Sequence, residues 1–242
     1  MTRFSILRAF ACPASPPGTF VFAAEGFCQM NLRRYRTLGF ALLVLAGVAA
    51  PVLPGHATTV VQMSVVDLIT HSGTIVAGKV AKVSDGFDAR GLPYTEVTLE
   101  VSDTIRGQKA DTYTFRQFGL DKPRKLADGR TYLGRPPGWP TWRKDESAIV
   151  FMYPRAARTG LQTTVGLGYG KVSVAGGAAM NAYENTGLFG PVSVNRALLD
   201  ASEQQMFDTK SGPVDAVTFQ KFLHRAVKGN WVKNGSLANA KR

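Results

Sequence analysis

A period of two in residues 94–105 constrains the fold more than any other feature of this sequence. In "YTEVTLEVSDTI", Val97, Leu99 and Val101 alternate with polar residues, which is the pattern of a β-strand with one buried face. Five further segments are typical of short strands between Gly-rich turns: "TIVAGKVAKV" (74–83), "DTYTFRQF" (111–118), "SAIVFMY" (147–153), "LQTTVGL" (161–167) and "GKVSVAG" (170–176). This series predicts a mainly β protein, built as a small antiparallel barrel or sandwich.

Two segments have the spacing of helices. In "MSVVDLITHS" (63–72), the apolar residues recur at helical intervals and Ser64 is a suitable N-cap, so a short helix is predicted before the first strand. "VDAVTFQKFLHRAVKGN" (214–230) has an apolar and a basic stripe, with Asp215 able to cap its start and Gly229 its end. We expect this amphipathic helix to pack onto the sheet; binding to a membrane surface is the alternative.

The stretch "MNLRRYRTLGFALLVLAGVAAPVLPGHATT" has the three parts of a secretory signal. Arginines precede an apolar core, which ends at prolines and small residues. We therefore predict a signal peptide over residues 30–57, cleavage after Ala57, and a periplasmic or secreted mature protein without a transmembrane span. An uncleaved anchor is the alternative. Residues 1–29 are interpreted as a start codon assigned too early or as an extended n-region.

Cleavage at this point has consequences for chemistry and size. Cys12 and Cys28 both precede the predicted cut, so disulfides, thiolate nucleophiles and zinc–thiolate sites are excluded from the mature chain. Removing 57 of the 242 residues leaves 185, enough for one domain with its own core. We expect a β-barrel domain in residues 58–180, a C-terminal helical extension in residues 181–230, and a disordered tail in residues 231–242.

The charge balance favours anionic partners. Of 29 Lys and Arg and 17 Asp and Glu, five bases and one acid precede the predicted cut, which leaves a net charge of +8. Such a charge attracts anionic polysaccharides, lipid head groups and nucleic acids, although in many exported proteins it serves mainly solubility. Export argues against nucleic acid as the partner.

The order of the strands resembles that of a group of uncharacterised exported bacterial proteins. The matching segments are "MSVVDLITHSGTIVAGKVAKV", "YTEVTLEVSDTIRG", "YTFRQFG", "ESAIVFMY" and "VGLGYGKVSV", over about residues 62–175. More distantly, the series is similar to the netrin-like and metalloproteinase-inhibitor type of OB-fold barrel. This resemblance implies an OB-like Greek-key barrel with a short N-terminal and a C-terminal helix. Inhibitor activity is not implied, because that family uses an N-terminal Cys to chelate a metal.

No segment has the pattern of a nucleophilic active site. The sequence lacks a Gly-x-Ser-x-Gly elbow, and the predicted mature chain has only His71 and His224, which are interpreted as surface residues. "GLGYGK" (166–171) fails the Walker spacing and is expected to form a tight turn or bulge.

Two pairs of carboxylates remain as candidates for acid–base chemistry. Glu96 and Glu100 lie four residues apart on a predicted strand, which separates them by about 13 Å, too far to share a proton. Asp145 and Glu146 precede an apolar strand, where a turn usually carries charge. A carboxylate-based hydrolase of the cell envelope is therefore an alternative function, and no catalytic residue is assigned.

The loop "KPRKLADGRTYLGRPPGWPTWRKDE" (122–146) is the candidate site. It is long for a loop without secondary structure and interleaves bases with aromatic residues, which suits stacking on sugars or bases and pairing with anions. The candidate ligand-binding residues are Arg130, Tyr132, Arg135, Trp139, Trp142, Arg143 and Lys144. Alternatively, the two tryptophans fold back as a lid over the barrel.

These features predict a non-catalytic binding module for an anionic polysaccharide or other carbohydrate, a lipid head group or an envelope protein. No cofactor and no metal is predicted. An OB-fold nucleic-acid binder is the remaining alternative, which fits the charge and conflicts with export.

Overall fold

A seven-stranded antiparallel sheet organises the protein in the computed structural model, which describes residues 61–132 and 134–240. Its strands are β1 (Thr74–Phe87), β2 (Pro93–Arg106), β3 (Thr112–Phe118), β6 (Ser147–Met152), β7 (Lys171–Ala175), β8 (Ala178–Asn181) and β10 (Val214–Asp215). Two small sheets pair β4 (Arg124–Lys125) with β5 (Thr131–Tyr132) and β9 (Val192–Val194) with β11 (Leu237–Asn239). The mainly β class predicted from the sequence is confirmed. The predicted signal peptide, residues 30–57, and residues 1–29 lie outside the described residues.

The strand order is β10-β8-β7-β6-β1-β2-β3, and every neighbouring pair is antiparallel. Different strands stand at the two edges, so within the described part of the chain the sheet is open. The prediction of a closed barrel is therefore wrong in this respect, because no hydrogen bonds join β3 to the far edge. The OB-like Greek-key topology stays a prediction.

Strand β1 joins the two halves of the sheet. Its first residues, Thr74–Lys79, pair with β6, while nearly its whole length pairs with β2. The β1–β2 register shifts at three points, one of them between Ala77 and Gly78, as bulges do where a strand bends. At Gly78 a Cβ would lie 2.3 Å from the Glu100 carbonyl oxygen. Glycine is therefore required here by the close approach of β2.

Three helices accompany the sheet: α1 (Val65–His71), α2 (Ala201–Asp208) and α3 (Ala216–Lys228). Ser64 is the N-cap of α1, and its side chain accepts a hydrogen bond from Asp67 N. Asp215 is the N-cap of α3, and its side chain accepts one from Thr218 N. These caps and both helices agree with the sequence-based predictions. Among the described residues, no helix has the length and apolar character needed to span a membrane.

The helices cover one face of the sheet. Buried residues of α1 and α3 pack with Ile75, Ile149, Phe151 and Val172 in a single hydrophobic core. Phe219 of α3 lies 6.3 Å from Phe151, ring centre to ring centre. The expected boundary at residue 180 is therefore absent from the described residues, since α3 completes the core of the sheet and forms no separate extension.

A second core lies on the other face of the same strands. It contains Val76, Val80, Leu99, Phe115 and Val150, together with residues contributed by β2, β6 and the loop before β6. Every residue of β6 after Ser147 is buried, because the strand has a core on each face. The uninterrupted apolar run of β6 is explained by this position.

The predicted disordered tail is ordered as far as residue 240, which corrects that expectation. Trp231 packs against Phe222 with ring centres 6.0 Å apart, and Leu237 is fully buried. Asn239 Nδ2 donates to Asp67 Oδ1 at 2.8 Å, so the last described strand contacts α1. Buried apolar side chains in a polar-looking segment supply the free energy that orders it.

Candidate functional site

The loop between β3 and β6 is folded against the sheet. The Asp85 carboxylate accepts hydrogen bonds from the backbone N of Asp121 at 3.0 Å and of Lys122 at 3.4 Å, and it also pairs with the Arg124 guanidinium. The β4–β5 hairpin that follows is closed by main-chain pairing of Arg124 with Tyr132. These contacts fix the first half of the loop at the end of β1.

Three of the predicted ligand-binding residues are engaged within this first half. Arg130 pairs with Asp128 at 2.6 Å, and Arg135 pairs with Asp121 at 2.9 Å. Tyr132 packs edge-on against Phe87. The positive charge that the sequence places here is therefore largely balanced by neighbouring carboxylates.

Trp142 is a core residue. Its side chain is 3% exposed, and its ring lies 5.2 Å from that of Phe115. Buried Gln117 holds this part of the loop from below: its Oε1 accepts from Trp142 Nε1 at 3.2 Å and its Nε2 donates to Pro140 O at 3.1 Å. Trp142 thus offers no exposed ring for stacking and instead anchors the loop, as the lid alternative describes.

Trp139, by contrast, is half-buried and borders a pocket. One side of its ring is near Phe118, at 6.1 Å between ring centres. The pocket has a volume of about 480 Å³, and we call it the Trp139 pocket; its lining residues are Gly138, Trp139, Pro140, Thr141, Gly168, Lys171, Ser173, Met180, Asn181, Ala182 and Tyr183. Of the seven residues predicted from the sequence, Trp139 alone lines this pocket.

The β7–β8 hairpin forms the floor of the Trp139 pocket. Ser173 pairs with Met180 in the antiparallel register, so these two side chains share a face, and Lys171 lies on the same face two residues away. The turn between the strands is Gly176–Gly177, both with positive φ, as a tight hairpin requires. Sheet pairing thus brings three side chains under the loop that carries Trp139.

Tyr183 also lines the Trp139 pocket, and it is stacked on a second tyrosine outside the lining. Tyr183 lies over Tyr169 with ring centres 4.3 Å apart, and its backbone N donates to Asn181 Oδ1 at 2.9 Å. Residues Leu167–Tyr169 form a 3-10 turn. A Cβ on Gly168 would lie 3.0 Å from the Tyr183 ring and 3.0 Å from Ala182 Cβ. The Gly-rich "GLGYGK" segment therefore makes room for an aromatic wall.

Lys171 joins the loop to the floor of the Trp139 pocket. It is 8% exposed, and its Nζ donates to Thr141 O at 2.5 Å and to Glu146 Oε1 at 2.6 Å. The ammonium also lies 4.7 Å from the centre of the Trp142 ring, an attractive cation–π arrangement. Burial lowers the pKa of Lys171, an effect that the Glu146 carboxylate opposes and the charge of nearby Arg143 reinforces.

Arg143 and Lys144 stay exposed beside this cluster. The Arg143 backbone N donates to Glu146 Oε1 at 2.8 Å, the same oxygen that accepts from Lys171. Neither side chain forms an ion pair with a carboxylate in the part of the chain that the structure describes. Of the predicted bases, these two therefore lie near the pocket without a balancing acid of their own.

The carboxylates proposed for hydrolysis pair with different lysines. Asp145 binds Lys79 at 2.8 Å and Glu146 binds Lys171 at 2.6 Å, while Glu96 of the other pair binds Arg116 at 2.7 Å. Across residues 61–132 and 134–240, no group of three His, Cys, Asp or Glu side chains converges as a metal ion would need. The two acids that precede β6 serve as ion-pair partners that hold the loop.

Neither histidine lies in the Trp139 pocket. His71 Nδ1 donates a hydrogen bond to the Asp67 carbonyl oxygen at 2.8 Å, within the last turn of α1. His224 Nε2 lies 2.7 Å from Asp103 Oδ2 and connects α3 to β2 at the surface. Both side chains thus have a local structural partner.

Known proteins provide no relative for comparison. No family model matches the sequence, and no curated protein or solved structure is detectably similar to it. The resemblance to exported bacterial proteins and to OB-fold barrels therefore stays a prediction. The case for function rests on the geometry of the Trp139 pocket.

Sequence reasoning did not identify Lys171, Met180 or Tyr183 as site residues. Lys171 had one available signal: it stands among apolar residues of a strand whose neighbours alternate, where an unpaired charge would be costly. The Gly176–Gly177 pair between two short apolar runs also indicated a hairpin. Neither signal reveals that the loop before β6 covers this hairpin, because that contact depends on long-range strand pairing.

Proposed function

We propose that the protein is an exported, non-catalytic module that binds a saccharide in the Trp139 pocket. The observation that carries this proposal is the position of Trp139: its half-exposed ring borders a cavity of about 480 Å³ whose other wall is the Tyr183 ring. Cavities of this order, mostly apolar with a few polar groups, are typical of small-ligand sites.

Aromatic rings suit sugars for a physical reason. The C–H groups on one side of a pyranose form an apolar patch with partly positive hydrogens, and these are attracted to the negative face of an aromatic ring. Trp139 and Tyr183 supply two such rings, while Lys171 and Ser173 supply hydrogen-bonding groups on the floor between them. Apolar walls with polar groups below them are the arrangement that a sugar ring needs.

The size of the site favours a saccharide over an envelope protein. A stable protein interface buries about 800 Å² on each partner, whereas the Trp139 pocket is a local depression lined by eleven residues. The carboxylate hydrolase is less well supported, because Asp145 and Glu146 are bound to separate lysines. Export, which the leader-like sequence of residues 30–57 supports, would bring the module to envelope or extracellular glycans.

A pair of matched variants tests this function. Trp139→Ala removes a pocket ring, whereas Tyr132→Ala removes a half-buried ring of the same loop that lies outside the pocket. On a glycan array, we expect the wild type and Tyr132→Ala to retain the same saccharides and Trp139→Ala to lose them by about tenfold or more in affinity, as loss of one stacking contact implies. Equal retention by all three proteins, or none by the wild type, would refute the proposal.

A further inference from the structure

The polar groups of the Trp139 pocket are biased towards hydrogen-bond donors. Three of the carbonyl oxygens around it already accept: Pro140 O from Gln117, Thr141 O from Lys171 and Asn181 O from Glu184 N at 3.2 Å. The Lys171 ammonium has three N–H groups and, among the described residues, gives two of them to Thr141 and Glu146. A ligand group in this pocket therefore meets an available hydrogen-bond donor more readily than an available acceptor.

The charge at this end of the pocket is positive. The Lys171 ammonium donates to the Glu146 carboxylate, whereas Arg143 donates to it through its backbone N, so the Arg143 guanidinium has no acid partner among the described residues. Lys144 adds a further exposed cation without an ion-pair partner among the described residues. Glu146 balances Lys171 and Asp145 pairs with Lys79, so the exposed charges of Arg143 and Lys144 leave an excess of positive charge beside the Thr141 end of the Trp139 pocket.

We propose that the Trp139 pocket selects a saccharide that carries a carboxylate, with the acid group bound by Lys171 and Arg143 at the Thr141 end. This inference rests on the proposed function and narrows it to uronic-acid-type sugars. The aromatic walls hold the ring of such a sugar, and the carboxylate accepts the remaining Lys171 N–H. A hydrogen bond between charged groups is stronger than one between neutral groups, so the acid group determines specificity while Trp139 and Tyr183 supply contact area.

Two methyl glycosides that differ at one carbon test this selection. Methyl β-glucuronide has a carboxylate where methyl β-glucoside has a hydroxymethyl group, and both present the same ring to Trp139. In titrations followed by ligand-observed NMR, we expect the glucuronide to bind the wild-type protein about tenfold more tightly than the glucoside does. The preference for the glucuronide should decrease as salt is added, because the charges of Arg143 and Lys144 are exposed to solvent and are screened.

Arg143→Gln is the decisive variant, since Arg143 is exposed and its backbone hydrogen bond to Glu146 survives the substitution. We expect it to bring the two affinities close together. Lys125→Gln is the matched control: it removes the same charge from the same loop at an exposed residue that does not line the pocket. The control should keep the preference of the wild type.

The outcomes separate the two proposals. If both glycosides bind equally and Trp139→Ala abolishes both, saccharide binding stands and acid selection is overturned. If the preference survives in Arg143→Gln, the binding of the acid group by Arg143 is overturned. If an N-acetylated glycoside binds more tightly than the glucuronide, acid selection is overturned. If no glycoside binds the wild type, the proposed function itself fails, and this inference fails with it.

Discussion

The ammonium of Lys171 determines how the loop before β6 lies on the sheet. It is bonded to a loop carbonyl at Thr141 and a loop carboxylate at Glu146, and it stands beside the buried Trp142 ring. A buried charge needs such partners, because an unpaired one costs several kcal/mol. One side chain thus ties the floor of the Trp139 pocket to the loop that carries Trp139.

The pKa of Lys171 leads to a prediction about pH. Burial holds this pKa below its ordinary value of 10.5, so between the folded and unfolded values the unfolded chain binds more protons and stability rises with pH. We expect the stability advantage of wild type over Lys171→Met to grow as the pH rises towards 10.5, measured by urea unfolding.

Lys79→Met is the control for that measurement. Lys79 is exposed, and its hydrogen bond and charge attraction to Asp145 raise its pKa above 10.5. The contribution of Lys79 to stability therefore has the opposite pH dependence. It is fully present below pH 10.5 and is lost as the pH rises through the pKa of the folded state. If both variants show the same trend against wild type, the burial of Lys171 does not control its titration.

A second prediction at this scale concerns Gly78. Because a Cβ would lie 2.3 Å from the Glu100 carbonyl oxygen, Gly78→Ala must push β1 and β2 apart. We expect a loss of about 1–3 kcal/mol in the free energy of unfolding, as for other overpacked sites. Gly190→Ala serves as control, since that glycine is exposed and has no atom within 4 Å of an added Cβ; equal losses would contradict the steric argument.

At the scale of elements, the sequence predicts long and regular pieces well. Strand β2 is found because its alternation extends over a dozen residues, and α3 because its apolar stripe has helical spacing. Helix α2 was missed, although Asp200 and Glu203 form a capping box that marks its start. The two- to four-residue strands β8 to β11 have too few residues for a period to be recognised.

The sequence predicts only the part of the candidate site that lies in one continuous segment. Trp139 belongs to a long loop that can be recognised from its composition. Its side chain borders the pocket. The other wall and the floor come from β7, β8 and Tyr183, which approach the loop only because β7 pairs with both β6 and β8. Trp142 could not be distinguished from Trp139 by sequence, since its burial depends on a contact with Gln117 of β3, 25 residues earlier in the chain.

Strand β11 gives a prediction at the element scale. Leu237 is fully buried in the core shared with α3, so Leu237→Ala should lower the free energy of unfolding by about 2–5 kcal/mol through lost contact and the cavity left behind. Val217→Ala is the control, because Val217 is 71% exposed. Chemical denaturation measures both, and an unchanged midpoint for Leu237→Ala would mean that the chain end is not held in solution.

At the scale of the whole molecule, the described fold is held without disulfides. The described residues contain no Cys, so two hydrophobic cores on opposite faces of one sheet supply the stabilising contacts. Such a protein is equally able to fold in reducing and oxidising surroundings. The redox chemistry of the fold therefore does not distinguish between these compartments.

Export is itself open to a direct test. We expect the full sequence expressed in a bacterium to yield a periplasmic or secreted protein that begins at Thr58, as read by N-terminal sequencing. Ala57→Arg, which places a large charged residue where signal peptidase needs a small one, should leave a longer membrane-bound form. A full-length cytosolic protein beginning at Met1 would contradict the predicted signal peptide.

The contact between Asn239 and the start of α1 connects the first and last elements of the described chain. Asn239 bonds to both Ser64 and Asp67, the two residues of the α1 capping box. During synthesis the ribosome releases residues 64–67 long before residue 239, so α1 emerges without this partner. The cap of the first described helix can therefore be completed only after translation has passed residue 239.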